Sequence, residues 1–391
     1  MLTLIRGGRV FGPESLGQKD ILLGGSAIIA VEEPGKLKLE GGTIDVVDAS
    51  GKMVLPGLID PHVHILGGGG EGGPATRAPE IRIEDIISCG VTTVIGCLGT
   101  DGVTRHMESL LAKARALEVE GITTYIFSGS YEIPVQTLTG SIRRDLVLID
   151  KVIGAGEIAV SDHRSSQPTF EEFARLAAEC RVGGMLGGKA GILHLHLGDG
   201  RRRLDMLFRL IRETEIPITQ VIPTHANRNP GLFEEALKWL EAGGFIDLTT
   251  GPDPEPAKDP DVSIEESIAL ALEKKLPIER ITVSSDSNGS FPVFDKSGNL
   301  IGLTIATQND LFRKFRDLVL KNVLPLEKAV RLVSTNAADF YKFSRKGRIA
   351  AGKDADLILL DKDLALKDVF ARGRRMMAGG KLLAGGTFTI S

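Results

Sequence analysis

Cysteine is scarce in this chain: Cys89, Cys97 and Cys180 are the only three among 391 residues, they are scattered, and none forms a CxxC pair. An odd, dispersed set excludes a disulfide framework and points to a reducing compartment. Aromatic residues make up only 5%, and no apolar run approaches the length of a membrane span. The start, Met1-Leu2-Thr3-Leu4-Ile5-Arg6, has neither the basic segment nor the long apolar core of a signal peptide, so a cytoplasmic location is expected. Neither charge sign dominates either. Lys and Arg number 47 against 51 Asp and Glu, a net charge of −4, which offers nothing to nucleic acid or an anionic membrane.

Glycine, by contrast, is abundant at 47 residues, in a chain that is 42% hydrophobic and 25% charged. That is a globular composition with many tight loops. A chain of 391 residues exceeds one small domain and suits a large barrel with a satellite. Short β signals punctuated by turn residues fill the first ~55 positions: Leu2–Arg6, Ile21–Leu23, Ala27–Val31 and Thr43–Asp48.

From Gly57 the pattern changes to short apolar runs alternating with helical periodicity. The runs are Leu58–Ile65, Val91–Leu98, Thr123–Phe127, Ile158–Val160, Ile192–Leu197, Thr219–Ile222, Phe245–Thr249 and Ile281–Ser284. Between them lie helix-like segments, among them Thr104–Val119, Thr169–Arg181, Arg201–Thr214, Pro230–Ala242 and Ser263–Lys275. Thr169 and Ser263 each precede acidic residues as helix caps do. Buried parallel strands read as continuous apolar runs and need crossover helices, so the expected fold class is α/β, a (β/α)8 TIM barrel.

Two further helices are expected over Thr304–Lys321 and Leu326–Phe340, then short strands at Leu357–Leu360, Asp368–Ala371 and Lys381–Leu383. The expected division is a barrel over 56–346 and a small β-sandwich domain formed by both termini, 1–55 and 347–391.

The seven histidines carry the chemistry. His62 and His64 lie two apart on the first run, and residues i and i+2 of a strand share a face, so both imidazoles can reach one metal. His196 ends the fifth run, His225 follows the sixth and Asp286 the eighth. In a barrel the C-terminal strand ends converge on one mouth, which gathers these candidate ligands. One HxH pair alone reads as structural; the further ligand types at separate strand ends reverse that. His194 shares a strand face with His196 and is the alternative ligand. His196 is preferred, because the polar loop Gly198-Asp199-Gly200 begins just beyond it. His106 and His163 read as structural or supporting.

This pattern resembles the amidohydrolase superfamily, with HxH after the first strand, single histidines after the fifth and sixth, and aspartate after the eighth. Within it the chain is similar to the isoaspartyl (β-aspartyl) dipeptidases over nearly its whole length. The segments that carry the resemblance include Pro56–His64, Gly67–Gly73 with Glu71, Leu98-Gly99-Thr100-Asp101 and Ser161-Asp162-His163-Arg164-Ser165. Others are His196-Leu197-Gly198-Asp199, Pro223–Asn229 and Ser284–Ser290. There is one departure. Most binuclear members bridge their metals with a carbamylated lysine after the fourth strand, and here Glu157 occupies that place. A glutamate supplies the same charge on a shorter stem, so the backbone must come closer, and a bulge beside Gly156 would bring it there. The alternatives are a surface Glu157 with a one-metal site, or Lys151, expected in the helical stretch before the strand, as the carbamate.

The resemblance implies two divalent metals, zinc by the imidazole-rich ligand set, held by His62, His64, Glu157, His196, His225 and Asp286. It implies hydrolysis of the isopeptide bond of a β-aspartyl dipeptide by a metal-activated hydroxide, with Asp286 as proton shuttle and Tyr131 bonding the oxyanion. Glu71 would meet the substrate ammonium, Arg164 and Arg228 its carboxylates, with Thr100, Ser290 and the main chain at Gly69 assisting. The expected partners are a small dipeptide substrate and, by resemblance, further copies of the chain in a homo-oligomer, with no nucleic acid or membrane. The competing readings are a hydrolase of cyclic amides, such as a dihydroorotase or hydantoinase, and a non-catalytic scaffold that has lost its metals.

Overall fold

The computed structural model describes residues 2–37, 44–251, 261–294, 300–383 and 385–389. Its centre is a curled parallel sheet whose strands are buried almost throughout, with Tyr125 only partly so. Six strands lie side by side in chain order: Leu58–Val63, Val91–Gly96, Thr123–Ser128, Val152–Val160, Ile192–Leu197 and Val221–Thr224. Ile246–Thr249 and Ile281–Ser284 form a further parallel pair. The Ala226 amide donates to the Asp247 carbonyl at 3.1 Å, and the His64 amide donates to the Ser287 carbonyl at 2.9 Å. These bonds join the pair to the sixth strand on one side and the first on the other, so the eight strands follow barrel order.

Helices cover the outside because each turns an apolar stripe inward, as Phe173, Leu176, Ala177 and Cys180 do on Phe170–Gly187. Thr169 caps that helix with Glu172 in a reciprocal box, and the Ser263 hydroxyl accepts from the Glu266 amide to start Ile264–Glu273. Among the described residues no helix is long and apolar enough to cross a membrane.

Both chain ends enter one mixed nine-stranded sheet. Met53–Pro56 is the seam: it lies parallel to Leu2–Phe11 on one side and antiparallel to Leu357–Leu360 on the other. Ile5, Val10, Ile21, Leu23, Val54, Leu357, Leu359 and Phe370 pack a separate core against this sheet. Thr43, expected to open a strand, lies outside the described residues; the strand there is Ile44–Asp48. Arg374–Ala378 is a strand that the sequence did not announce.

Four expectations are corrected. The fourth barrel strand begins at Val152 rather than Ile158, because two glycines interrupt a run that is nonetheless buried throughout. Lys151 accordingly sits in the turn at the strand's N-terminal start, not in a helix, and donates to the Thr124 carbonyl at 3.0 Å while pairing with Glu118 at 2.6 Å. That end is opposite the mouth, so Lys151 cannot bridge metals there. The helix expected from Thr304 starts at Gln308, since Leu300–Ile305 instead pairs with Ser290–Phe294 as an antiparallel hairpin. The helix expected over Leu326–Phe340 is interrupted by a π-turn at Arg331–Thr335.

Candidate metal centre

The first strand delivers His62 and His64 to the mouth as the two-residue repeat requires. Opposite them, the fourth and fifth strands slip register: Leu193 pairs with Ala155 but Leu195 pairs with Ile158. Two residues of the fourth strand, Gly156 and Glu157, therefore oppose one residue, His194, and the extra residue is a bulge. A Cβ on Gly156 would lie 2.8 Å from His194 Cβ, so only glycine permits this approach. The bulge carries Glu157 inward until its carboxylate lies among the imidazoles.

Glu157 Oε1 is 3.4 Å from His64 Nε2, and its Oε2 is 3.5, 3.2 and 3.6 Å from His62 Nε2, His196 Nδ1 and His225 Nε2. Asp286 Oδ1 lies 3.4 Å from His62 Nε2 and 3.0 Å from His64 Nε2. Asp286 and His225 sit just past their strands at φ of 52° and 57°, left-handed conformations uncommon for non-glycine residues. All six side chains are buried.

The far nitrogen of each imidazole is also held. His62 Nδ1 shares a hydrogen bond with His194 Nε2 at 2.8 Å, and His225 Nδ1 lies 2.7 Å from the Thr249 hydroxyl. His196 Nε2 is 3.0 Å from Asp162 Oδ2, and His64 Nδ1 is 3.8 Å from Cys97 Sγ. Metal-binding imidazoles need such outer partners to fix ring and tautomer. His194 is turned away from Glu157, stacked on Phe127 with ring centroids 4.6 Å apart. Asp60, on the first strand, accepts from the His62 amide at 3.3 Å and from the Ser285 and Gln308 side chains at 2.5 and 2.9 Å, and so ties His62 to the loop that bears Asp286.

The charge balance favours a cation. Burial opposes the ionisation of Glu157 and Asp286, yet neighbouring histidines outweigh it and hold both carboxyls well below their usual range. His62 and His64 rise well above the ordinary imidazole value despite burial, driven by Cys97 and by Glu157 and Asp286. Burial pushes His225 down to about 3, leaving it neutral with a lone pair to give. Among the described residues His62 Nε2 and Asp286 Oδ1 are buried atoms with no hydrogen-bond partner, and a bound cation would displace the His62 proton and meet both atoms. Two trios, His62 with His225 and Asp286 and Glu157 with His196 and His225, and a quartet of His62, His64, Glu157 and Cys97 each bring their ligand atoms within 4.8 Å, which fits divalent metal.

Around this centre the mouth is polar. The Tyr131 hydroxyl is 2.8 Å from His196 Nδ1, and burial together with the Glu157 charge raises its pKa well above the ordinary value, so it keeps its proton. Arg164 grips Asp162 through Nε and Nη2 at 3.0 and 2.8 Å and reaches Glu71 at 3.3 Å. Glu71 accepts from the Thr100 hydroxyl at 2.8 Å and the Ser290 hydroxyl at 3.3 Å. Its pKa is lowered: burial opposes the shift, but its own backbone amide, Thr100 and Arg164 prevail. Arg228 is half-buried, with Nε unpaired among the described residues. Gly69, buried beneath Glu71, turns at φ 74°. A cavity of about 530 Å³ adjoins this loop, lined by Glu71, Arg77, Thr100 and Asp101 among others.

The structure thus gathers His62, His64, Glu157, His196, His225 and Asp286, with Tyr131 against His196. It places Glu71, Thr100, Arg164 and Ser290 in one connected cluster. His106 and His163 are exposed and stand apart from both groups. Asp162, Thr249 and Cys97 were not singled out as site residues in the sequence. Only Asp162 left a signal there, in its position beside Arg164.

Family models of the amidohydrolase family match residues 45–96 and 259–382. The β-aspartyl dipeptidase of the thermophilic keratin-degrading Fervidobacterium islandicum AW-1, solved in complex with β-Asp-Leu, is 47% identical, covers 98% of either chain and has a TM-score of 0.89. The dihydropyrimidinase of Brevibacillus agri shares the fold at 18% identity, with a TM-score of 0.67 over 99% of this chain and 97% of its own. Among curated proteins, the adenine deaminase of Halalkalibacterium halodurans is 25% identical over 93% of this chain. This chain spans only 55% of that deaminase's length. The fold, the gathered donors and the similarity along nearly the whole chain agree: the protein belongs to the amidohydrolase family and, within it, groups with the β-aspartyl dipeptidases.

Proposed function

We propose that the protein hydrolyses the isopeptide bond of β-aspartyl dipeptides at a centre of two divalent metals, with zinc the ion that the donor set suits best. The observation that carries this reading is the Glu71 carboxylate, fixed by Thr100, Ser290 and Arg164. A β-aspartyl dipeptide has a free α-ammonium that needs such an anion; a cyclic amide has none. The dipeptide bound in the Fervidobacterium enzyme supports the same substrate class.

His62, His64, Glu157, His196, His225 and Asp286 would together hold the two ions. Bound there, the ions supply Lewis acidity and lower the pKa of water. The chain's own groups do the rest. Asp286, kept ionised by His62 and His64, accepts the proton of the attacking water and passes it to the departing amine. The Tyr131 hydroxyl, which keeps its proton, donates to the oxygen that gains charge as the carbonyl becomes tetrahedral. Arg164 and Arg228 pair with the substrate carboxylates, and the main chain at Gly69 lies where substrate can approach closely. The eight strands are read as a closed (β/α)8 barrel and the terminal sheet as a small β-sandwich domain, on the closing bonds and separate core described above.

Hydrolysis of β-Asp-Leu, α-Asp-Leu and dihydroorotate, each with and without chelator, tests the proposal. Chelator-sensitive cleavage of β-Asp-Leu alone is expected; preferential turnover of dihydroorotate would replace it with the cyclic-amide reading. Turnover of none, with no metal in the purified protein, would leave a scaffold.

A further inference from the structure

Glu71 stands on a loop with almost no side chains to anchor it, since Gly67–Gly70, Gly72 and Gly73 flank it. The glycines are needed for shape: a Cβ on Gly67 would lie 2.1 Å from the Ala78 carbonyl oxygen, and one on Gly69 would lie 2.4 Å from that of Thr76. A chain of this composition is intrinsically floppy. Something else must hold the carboxylate still.

The anchor is Arg105, a charged residue only 5% exposed. Its Nε donates to the Leu66 carbonyl at 3.3 Å, and Nη2 donates to the carbonyls of Gly68 and Ala78 at 2.9 and 3.3 Å. Its Nη1 donates to the Gly69 carbonyl at 3.3 Å and to Asp101 Oδ2 at 3.1 Å. Every N–H of the guanidinium is used, and four of the five acceptors are main-chain oxygens of the glycine loop and its return. Asp101 supplies the counter-charge and also accepts from Arg77 at 2.7 Å, beyond the far end of the loop. Thr100, next to Asp101, donates to Glu71 itself, which Ser290 and Arg164 also meet. The planar fork sets the height of the loop, and Thr100 sets the angle of the carboxylate.

We propose that Arg105 is a positioning residue for recognition of the substrate's α-ammonium, acting through the Leu66–Gly70 backbone to place Glu71. This rests on the reading of Glu71 as the ammonium's partner. Lysine cannot replace the fork, because an ammonium on a flexible stem cannot meet five acceptors in one plane.

The test compares β-Asp-Leu with succinyl-leucine, which has the same scissile amide and carboxylates but no ammonium. Arg105→Lys is expected to lower kcat/KM for β-Asp-Leu by about 10- to 100-fold, chiefly through KM, as displacement of a contact by an ångström does. The loss on succinyl-leucine is expected to be at least tenfold smaller, with metal content unchanged. In the Glu71→Gln background Arg105→Lys should add little on β-Asp-Leu, because the two residues act as one unit. Equal losses on both substrates, or a full additional loss in the double variant, overturn the proposal. If Glu71→Gln itself loses equally on both substrates, the ammonium reading fails and the proposal with it. If Glu71→Gln is selective and Arg105→Lys is not, only the role of Arg105 falls. Should Arg105→Lys not fold, Asp101→Asn, which strips the counter-charge, must show the same selective loss; its absence overturns the proposal equally.

Discussion

Replacing Gly156 by alanine places a Cβ 2.8 Å from His194 Cβ and 2.9 Å from the His194 carbonyl oxygen, where ordinary contact begins near 3.4 Å. Neither neighbour is the loose end of a flexible side chain, so the two strands must part by roughly 0.5 Å in a close-packed interior. Overpacking of this kind costs about 1–3 kcal/mol. For a chain of this length that lowers Tm by about 1–4 °C. The displaced residue matters more than the cost. His194 Nε2 lies 2.8 Å from His62 Nδ1, so moving His194 releases the ring that faces Glu157 and Asp286. Loss of such an outer partner typically weakens metal binding by about 10–100-fold. Competition with a chromophoric chelator measures the metal Kd, and a thermal melt measures the stability. A Gly156→Ala protein with lower Tm but unchanged Kd would refute the coupling between bulge and metal centre.

Further outcomes follow from the same geometry. Thr249→Val, which removes the hydroxyl beside His225 Nδ1, should weaken metal binding by about 10–100-fold, with Thr249→Ser restoring it. Burial pushes the Cys89 and Cys180 thiols up to about 11 and about 12, so neither should be alkylated at pH 8 until the protein unfolds, as peptide mass spectrometry would show. Asp101 is lowered to about 2 from 3.8: burial opposes the shift, but hydrogen bonds from Thr104, Val103 and Arg77 outweigh it. A depressed carboxyl contributes stability above its unfolded value and loses it as pH falls through its folded one. Amide protection of the Gly67–Gly73 loop should therefore decline between about pH 4 and pH 2, and Asp101→Asn should abolish that dependence. Saturating metal at about 100 Kd should stabilise the chain over the chelated form by about 2.7 kcal/mol for each occupied site, read as a rise in Tm.

Much of the frame was legible because it depends on local rules. Continuous apolar runs and capped amphipathic segments gave the strand–helix alternation, and strand alternation put His62 and His64 on one face. The same alternation could not separate His194 from His196, which share a face. Tertiary contacts part them: one ring stacks on Phe127, and the other meets Glu157 and Asp162. Thr304 and Ile305, the last two residues of the return strand Leu300–Ile305, fall within the expected helix because that strand leads almost directly into the true helix at Gln308. The glycines at 154 and 156 hide where the fourth strand begins, so the sequence extends the preceding helix over Lys151. Arg105 left no trace, since four of its partners are carbonyls, and every residue has one. Sequence marks side chains that meet side chains far better than those that hold backbone.

Whether Glu157 replaces the carbamate is the centre of the account, and one reconstitution tests it. Metal-free protein is mixed with zinc in buffer stripped of carbon dioxide and bicarbonate, and metal content and β-Asp-Leu hydrolysis are followed together. The account predicts two metals per chain and full activity without bicarbonate. A strict requirement for bicarbonate, or a fully active protein holding a single metal, would contradict it.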